Sequence, residues 1–158
     1  MEMCRIIGSV ITVASRSIKD LVPEVEELAG KFLIACNELG ISVLITCTRR
    51  SHAEQRALYA QGRETLKMVN SLRTLAKLGT ITERGNKRRV TNAREGESLH
   101  NIGRAFDVVP LDGGKCLWDV KNPVWQRLGR IGQDLGLEWA GSWKRMKEYP
   151  HFQLREKR

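Results

Sequence analysis

Apolar residues recur every three or four positions in three stretches of the chain, which predicts three amphipathic helices. These helices cover about residues 23–39, 51–62 and 122–136, and each ends at or just before a glycine. Ser51 lies three residues before Glu54, which is the capping-box pattern of a helix start. This pattern predicts that the second helix begins at Ser51.

Short apolar runs rich in β-branched residues predict the strands. Residues 41–48 (ISVLITCT) and 104–111 (RAFDVVPL) are the clearest, and 137–140 and 151–154 are shorter candidates. Helices and strands in this mixed order predict an α+β fold, with helices packed on a small, mainly antiparallel sheet.

The chain of 158 residues is long enough for one domain with its own core. Residues 1–18 are interpreted as an N-terminal appendage or strand, and residues 19–158 as the folded domain. Within that domain, residues 63–97 form a polar, basic loop insertion, with one short helix favoured near its middle. The apolar run close to the N-terminus is too short for a membrane span and lacks the charges of a clear signal peptide.

Charge is the one unusual feature of the composition. There are 27 Lys and Arg against 18 Asp and Glu, and this surplus favours polyanions such as nucleic acid or bacterial envelope polymers. The four cysteines stand apart without a CxxC pair, which predicts reduced thiols.

Two of the three histidines have neighbours that suggest a metal site. His100 precedes the second strand, and Asp107 lies inside that strand among apolar residues, where a carboxylate needs a cation or hydrogen bonds. Gly103 would let the backbone turn between them. The alternative is a buried Asp that caps a turn beside a surface His. With His151 the set becomes His, Asp and His, which suits zinc and leaves a fourth position for water.

Hydrolysis would also need a base and a cation for the oxyanion. Glu148 lies three residues before His151 and could serve as the base, although its position taken alone is more typical of a solvated surface carboxylate. Arg49 and Arg50 follow the first apolar strand and could face a site or solvent.

These segments together resemble the LAS/M15 zinc peptidases. SLHNIGRAFDVVP matches the family pattern S-x-H-x-x-G-x-A-x-D, ITCTRRSHAEQRALYAQGR resembles its arginine segment, and LEWAGSWKRMKEYPHFQL resembles its C-terminal segment. The resemblance covers about residues 20–154 and implies a single-domain, hedgehog-like α+β peptidase with one zinc ion.

Residue roles follow from the resemblance position by position. His100, Asp107 and His151 are implied as the zinc ligands, and Glu148 as the catalytic acid and base. Arg50 fits the family arginine better than Arg49 does, and it would bind the scissile carbonyl oxygen. Contacts with substrate are expected from three further residues: Ser98, Trp143 and Gln55. Trp143 could instead belong to the core, and His52 has no role in the motifs.

The resemblance implies hydrolysis of peptidoglycan stem peptides at the L-alanyl–D-glutamate bond, as in phage endolysins. Such an enzyme would be monomeric, would wait in the host cytoplasm until lysis, and would have no membrane span and no nucleic-acid partner. A D-Ala-D-Ala carboxypeptidase or dipeptidase is the alternative within the family. A basic nucleic-acid-binding module, suggested by charge alone, is the alternative outside it.

Overall fold

The computed structural model describes residues 14–155. The appendage or strand predicted for residues 1–18 therefore lies outside the described residues except at its end. There, the Ser15 amide donates to the Arg49 carbonyl at 3.1 Å, and the Thr48 amide donates to the Ser15 carbonyl at 2.6 Å. The chain near Ser15 thus runs beside the end of the first strand.

The three predicted helices are present, and two helices lie in the basic insertion, of which the first is the short helix favoured there by the sequence. The described α-helices are α1 (Pro23–Glu38), α2 (His52–Ala60), α3 (Leu66–Leu75), α4 (Glu83–Asn86) and α5 (Val124–Asp134). The capping box of α2 is confirmed, since the Ser51 hydroxyl accepts from the Glu54 amide and the Glu54 carboxylate accepts from the Ser51 amide. Threonines at positions 65 and 82 cap α3 and α4, so the insertion is more ordered than a loop.

The strands form an antiparallel sheet, as predicted. They are β1 (Val43–Cys47), β2 (Ala105–Asp112), β3 (Lys115–Cys116), β4 (Leu137–Trp139) and β5 (His151–Leu154). The order is β1-β2-β5-β4, and β3 pairs with β2 as a short hairpin. Two residues are too few for a visible period, and for this reason β3 was not predicted.

Aromatic residues pack the core around β2 and β5. Phe32 of α1 contacts Phe152 of β5 with 4.9 Å between ring centroids, and Phe106 of β2 stacks on Phe152. Gly132 lets α5 approach the sheet, because a Cβ there would lie 2.4 Å from the Phe152 ring. This packing holds the two strands that carry Asp107 and His151 in a fixed relation. None of the helices in residues 14–155 has the length and apolar character required to cross a membrane.

Candidate active site

Strand register brings two predicted metal ligands together. Asp107 of β2 pairs directly with His151 of β5, and His151 Nδ1 lies 3.1 Å from Asp107 Oδ1. On the other side of β2, Cys47 of β1 pairs with the same aspartate. Three side chains with metal-binding atoms therefore stand side by side across three strands.

His100 reaches the same point from a 3₁₀ turn, Leu99–Ile102, that precedes β2. Gly103 ends this turn with φ of +69°, and a Cβ there would lie 2.9 Å from the Asp20 carbonyl oxygen. The tight turn expected at this glycine is confirmed. His100 Nε2 lies 3.2 Å from Asp107 Oδ1 and 3.1 Å from His151 Nδ1.

Hydrogen bonds on the outer side of each imidazole determine which nitrogen faces the centre. His100 Nδ1 donates to the Thr48 carbonyl at 2.7 Å, and His151 Nε2 donates to Gln153 Oε1 at 3.0 Å. His100 Nε2 and His151 Nδ1 are then the nitrogens that can present lone pairs to the Asp107 carboxylate. Three electron-rich atoms at this separation repel one another unless a cation lies among them.

In the metal-free protein a proton can supply this positive charge. Burial alone would lower the pKa of His100, but its attraction to the Asp107 carboxylate outweighs burial and raises that pKa to about 10. Burial would raise the pKa of Asp107, but the charge and hydrogen bonds of the two histidines hold it well below its usual range. The centre therefore favours a bound cation at neutral pH.

The donor set fits zinc. The three facing atoms are 3.1 to 3.2 Å apart in pairs. In a tetrahedral zinc site with bonds of about 2.0–2.1 Å, neighbouring ligand atoms are about 3.3 Å apart. Two imidazole nitrogens and one carboxylate oxygen are also ligands that zinc prefers in catalytic sites.

Cys47 is a further potential ligand that sequence analysis missed. Single ligand atoms of Cys47, His100 and Asp107 lie within 4.8 Å of one another. The sulfur, however, is near His100 Nδ1, at 3.6 Å, and that nitrogen already donates to Thr48. Arg50 Nη2 donates to the sulfur at 3.5 Å. The two histidines and the aspartate converge more closely, so Cys47 lies beside the predicted metal site rather than among its three facing atoms.

The other residues predicted for catalysis border the centre in one cleft of about 320 Å³. Its lining includes the three predicted ligands together with Arg50, Ser98, Trp143 and Glu148. The cleft thus combines a potential metal site, a carboxylate and a guanidinium, which are the groups that amide hydrolysis requires.

The two adjacent arginines are separated by the structure. Arg50 Nη2 lies 3.9 Å from Asp107 Oδ2 in the cleft. Arg49 is exposed and lines a different cavity, of about 460 Å³, with Asp20 and Lys77. This second cavity is larger but its lining includes none of the predicted ligands, so the predicted site corresponds to the smaller cleft. His52, at the start of α2, is exposed, as expected for a residue outside the motifs.

Gln55, predicted to contact substrate, is fully buried behind Arg50. Its Oε1 accepts from Arg50 Nη1 at 2.9 Å, and its Nε2 donates to the Ala93 carbonyl at 2.7 Å. The side chain amide is thus occupied in orienting Arg50 and in holding one wall of the cleft, which corrects the expectation of a direct contact.

Asn101 is a second supporting residue, and sequence analysis did not identify it. Its Nδ2 donates to the Arg50 carbonyl at 3.0 Å, and the Arg50 amide donates to the His100 carbonyl at 3.0 Å. The turn that carries His100 is therefore tied to the segment that carries Arg50. A buried Asn directly after a predicted ligand was the available signal.

Comparison with known proteins places this site in a family. A family model described as D-alanyl-D-alanine carboxypeptidase, of the peptidase M15 group, matches residues 91–154. Peptidoglycan L-alanyl-D-glutamate endopeptidase CwlK of Bacillus subtilis (strain 168) is 36% identical over 143 residues, which cover 85% of this chain and 74% of CwlK.

Solved structures share the fold. The L-Ala D-Glu endopeptidase ChiX of Serratia marcescens superposes with a TM-score of 0.56 at 20% identity, covering 92% of this chain and 88% of ChiX. The vancomycin-resistance D,D-pentapeptidase VanY, solved in complex with Zn(II), has a TM-score of 0.57 at 13% identity and covers 85% of this chain and 72% of VanY. Together with the 36% identity to CwlK, these matches confirm the resemblance seen in the motifs, and the chain belongs to the peptidase M15 family.

Proposed function

We propose that this protein is a zinc-dependent peptidase that hydrolyses the stem peptides of bacterial peptidoglycan at the L-alanyl–D-glutamate bond. The observation that carries the proposal is the convergence of His100, Asp107 and His151 at 3.1 to 3.2 Å beside the cleft that holds Arg50 and Glu148. The choice of bond is supported by the name and the 36% identity of CwlK.

The metal would be held by His100 Nε2, Asp107 Oδ1 and His151 Nδ1. Zinc in this position supplies a Lewis acid for the scissile carbonyl and lowers the pKa of water enough for attack near neutral pH. The Thr48 carbonyl and the Gln153 amide hold the two imidazoles in the orientation in which they would bind the ion.

Glu148 and Arg50 perform the remaining steps. Glu148 accepts a proton from the attacking water and returns it to the leaving amine nitrogen. Arg50 donates hydrogen bonds to the oxyanion that develops on the scissile carbonyl oxygen. Because Gln55 orients its guanidinium at 2.9 Å, Arg50 is positioned before the substrate binds. Ser98 and Trp143 line the cleft where the stem peptide would lie.

The biological role that we propose is that of a phage endolysin. The enzyme would remain in the host cytoplasm until lysis and would then act on the cell wall as a monomer, without a nucleic-acid partner. The surplus of nine basic residues would favour adhesion to anionic wall polymers. Expression in a host with and without a holin tests this role, and lysis should require the holin.

A second candidate is removal of a terminal D-Ala as a D-Ala-D-Ala carboxypeptidase or dipeptidase. The description of the matching family model favours it. Both reactions would use the same zinc, carboxylate and arginine, so the walls of the cleft decide between them.

Digestion of purified muropeptides followed by mass spectrometry tests the function. We expect products cut between L-Ala and D-Glu, formed with zinc and suppressed by a chelator. Loss of only a terminal D-Ala would favour the carboxypeptidase. Intact muropeptides in the presence of zinc, together with tight and salt-dependent DNA binding, would instead identify a nucleic-acid-binding module.

A further inference from the structure

We infer that Trp143, Glu138 and Gln153 form a hydrogen-bonded chain that positions His151 for metal binding. This inference rests on the proposed zinc site. It assigns to Trp143 a role beyond lining the cleft, and it gives a role to two residues outside the predicted site.

The pairing of β4 with β5 brings the members of this hydrogen-bonded chain together. Glu138 of β4 pairs directly with Gln153 of β5. His151 and Gln153 are two residues apart on β5, so their side chains point to the same face of the sheet. Trp143 follows the short turn after β4, and its ring centroid is 6.0 Å from that of His151. All four side chains therefore lie on one side of β4 and β5.

Each hydrogen bond in the chain has a defined direction. Trp143 Nε1 donates to Glu138 Oε1 at 2.6 Å, and Gln153 Nε2 donates to Glu138 Oε2 at 3.1 Å. Gln153 Oε1 then accepts from His151 Nε2 at 3.0 Å. An indole nitrogen can only donate and a carboxylate can only accept, so the orientation of the Gln153 amide follows from its neighbours.

The consequence for His151 is a single useful tautomer. Because Gln153 presents an oxygen, the proton of the imidazole is retained on Nε2, and Nδ1 is left with a lone pair toward Asp107. If this order of donors and acceptors were lost, the imidazole proton could move to Nδ1, where it would prevent metal binding. Trp143, Glu138 and Gln153 are thus positioning residues for the metal ligand.

Replacement of single members should weaken zinc binding. Gln153→Met keeps the size of the side chain but removes the acceptor, and we expect the zinc Kd to rise about 10- to 100-fold. Glu138→Gln leaves one oxygen for two donors, so a smaller rise is expected. Trp143→Phe removes only the indole donor and should have the smallest effect of the three.

An exchange of the Glu138 carboxylate and the Gln153 amide provides the sharpest test. Gln153→Glu alone places two carboxylates side by side, which should weaken both zinc binding and the fold. Combined with Glu138→Gln, however, an amide stands at 138 and a carboxylate at 153. Trp143 again donates to an oxygen, the amide donates to the carboxylate, and the carboxylate accepts from His151. The double variant should recover a zinc Kd within about threefold of the wild type, since these energies are coupled.

The measurement is the zinc Kd by competition with a chromophoric chelator, with circular dichroism to verify the fold. Gln133→Met, at an exposed position of α5, is the matched control and should bind zinc as the wild type does. If Gln153→Met binds zinc with the wild-type Kd, or if the double variant is no better than Gln153→Glu, the inference is wrong and the proposed function stands. If the wild type itself binds no zinc, the proposed function fails first.

Discussion

The proposed metal centre and the proposed catalytic groups beside it are built in different ways. Asp107 and His151 lie opposite each other on paired strands, so the backbone ladder of the sheet sets their separation. Glu148 lies in a loop before β5, and Arg50 lies between β1 and α2. Paired strands thus carry two of the three proposed ligands, and the turn before β2 carries His100. Loops carry the groups proposed to meet a substrate.

The loop groups need additional support, and side chain hydrogen bonds supply it. Gln55 connects Arg50 to the wall at Ala93. Asn92, next to Ala93, contacts the sulfur of Met146, which also lines the cleft. The comparison therefore predicts that strand residues control metal binding, whereas loop residues control turnover on a metal that remains bound.

The largest effect is expected at the strand-built centre. Asp107→Ala should raise the zinc Kd more than about 100-fold and reduce peptide hydrolysis at least about 1,000-fold, because the ion loses one of its three ligands. Asp112→Ala, at the exposed end of the same strand, is the control and should retain both properties. Zinc titration and a peptide-cleavage assay make the comparison, and normal zinc binding by Asp107→Ala would contradict the assignment.

Glu148→Gln should distinguish the roles of the two regions, because it should lower turnover without weakening zinc binding. We expect kcat to fall about 100- to 10,000-fold through loss of the proton acceptor, with a zinc Kd within about threefold of the wild type. Glu83→Gln, a surface change of the same kind on α4, should leave both unchanged. A folded Glu148→Gln enzyme that cleaves wall peptides at the wild-type rate would show that the base is another group.

The adjacent arginines allow a controlled test of which side chain stabilises the oxyanion. Arg50→Ala should lower kcat about 100- to 1,000-fold with little change in zinc affinity, because the donor to the oxyanion is removed. Arg49→Ala removes the same charge from a neighbouring exposed position in another cavity, and its kcat should change less than about threefold. Equal losses in the two variants would show that overall charge matters rather than a contact in the cleft.

The same contrast explains how far sequence could predict the site. His100, Asp107 and His151 could be proposed from sequence because each lies in a short motif next to a recognisable strand or turn. The supports could not: Glu138 and Gln153 are 15 residues apart, and only the register of β4 on β5 brings them together. Cross-strand register is a tertiary property that local spacing does not encode.

The insertion shows a second limit. Its helices were underpredicted because apolar periodicity is weak over residues 63–97. Hydrogen bonds from the residues directly after α2 help to organise it: Gln61 Nε2 donates to the Gly85 carbonyl at 3.0 Å, and the Gly62 amide donates to Asn86 Oδ1 at 3.0 Å. The helix α4 has no buried residue, so these polar contacts hold it in place, whereas α3 also buries Val69. Contacts between residues 24 positions apart form only in the folded chain, and local periodicity does not reveal them.

The strand-built centre should also respond to pH. His100 has an ordinary pKa of 6.5, and in the metal-free protein Asp107 raises it to about 10. The protonated ring therefore stabilises the metal-free fold fully below pH 6.5, and this contribution is lost as the pH rises toward 10. Zinc requires the unprotonated ring, so its affinity should rise about tenfold per pH unit over this interval.

Thermal unfolding with and without zinc measures the competition between zinc and the proton on His100. The increase in Tm caused by saturating zinc should grow between pH 6.5 and 8.5, by about 5–10 °C in a domain of this size. His52→Ala removes an exposed histidine and should show the same trend. A Tm increase that is constant with pH would mean that no proton is displaced from the centre.

The smallest effect is expected at the basic insertion, which lies on the loop side of the comparison. Residues 63–97 carry nine Lys and Arg against four Glu, and the basic run 87–89 is exposed. Salt screens exposed charges beyond about 10 Å at 0.1 M, so hydrolysis of whole cell walls should fall several-fold between 50 and 300 mM salt. Cleavage of a soluble peptide should change less than about twofold, because it needs no adhesion to the wall.

Replacement of residues 87–89 by serine should reduce the salt dependence of wall hydrolysis. Serine at Lys31, Arg127 and Arg130 removes equal charge from α1 and α5 and should leave that dependence unchanged. Equal salt responses of wall and peptide cleavage would show that the charge surplus does not serve adhesion.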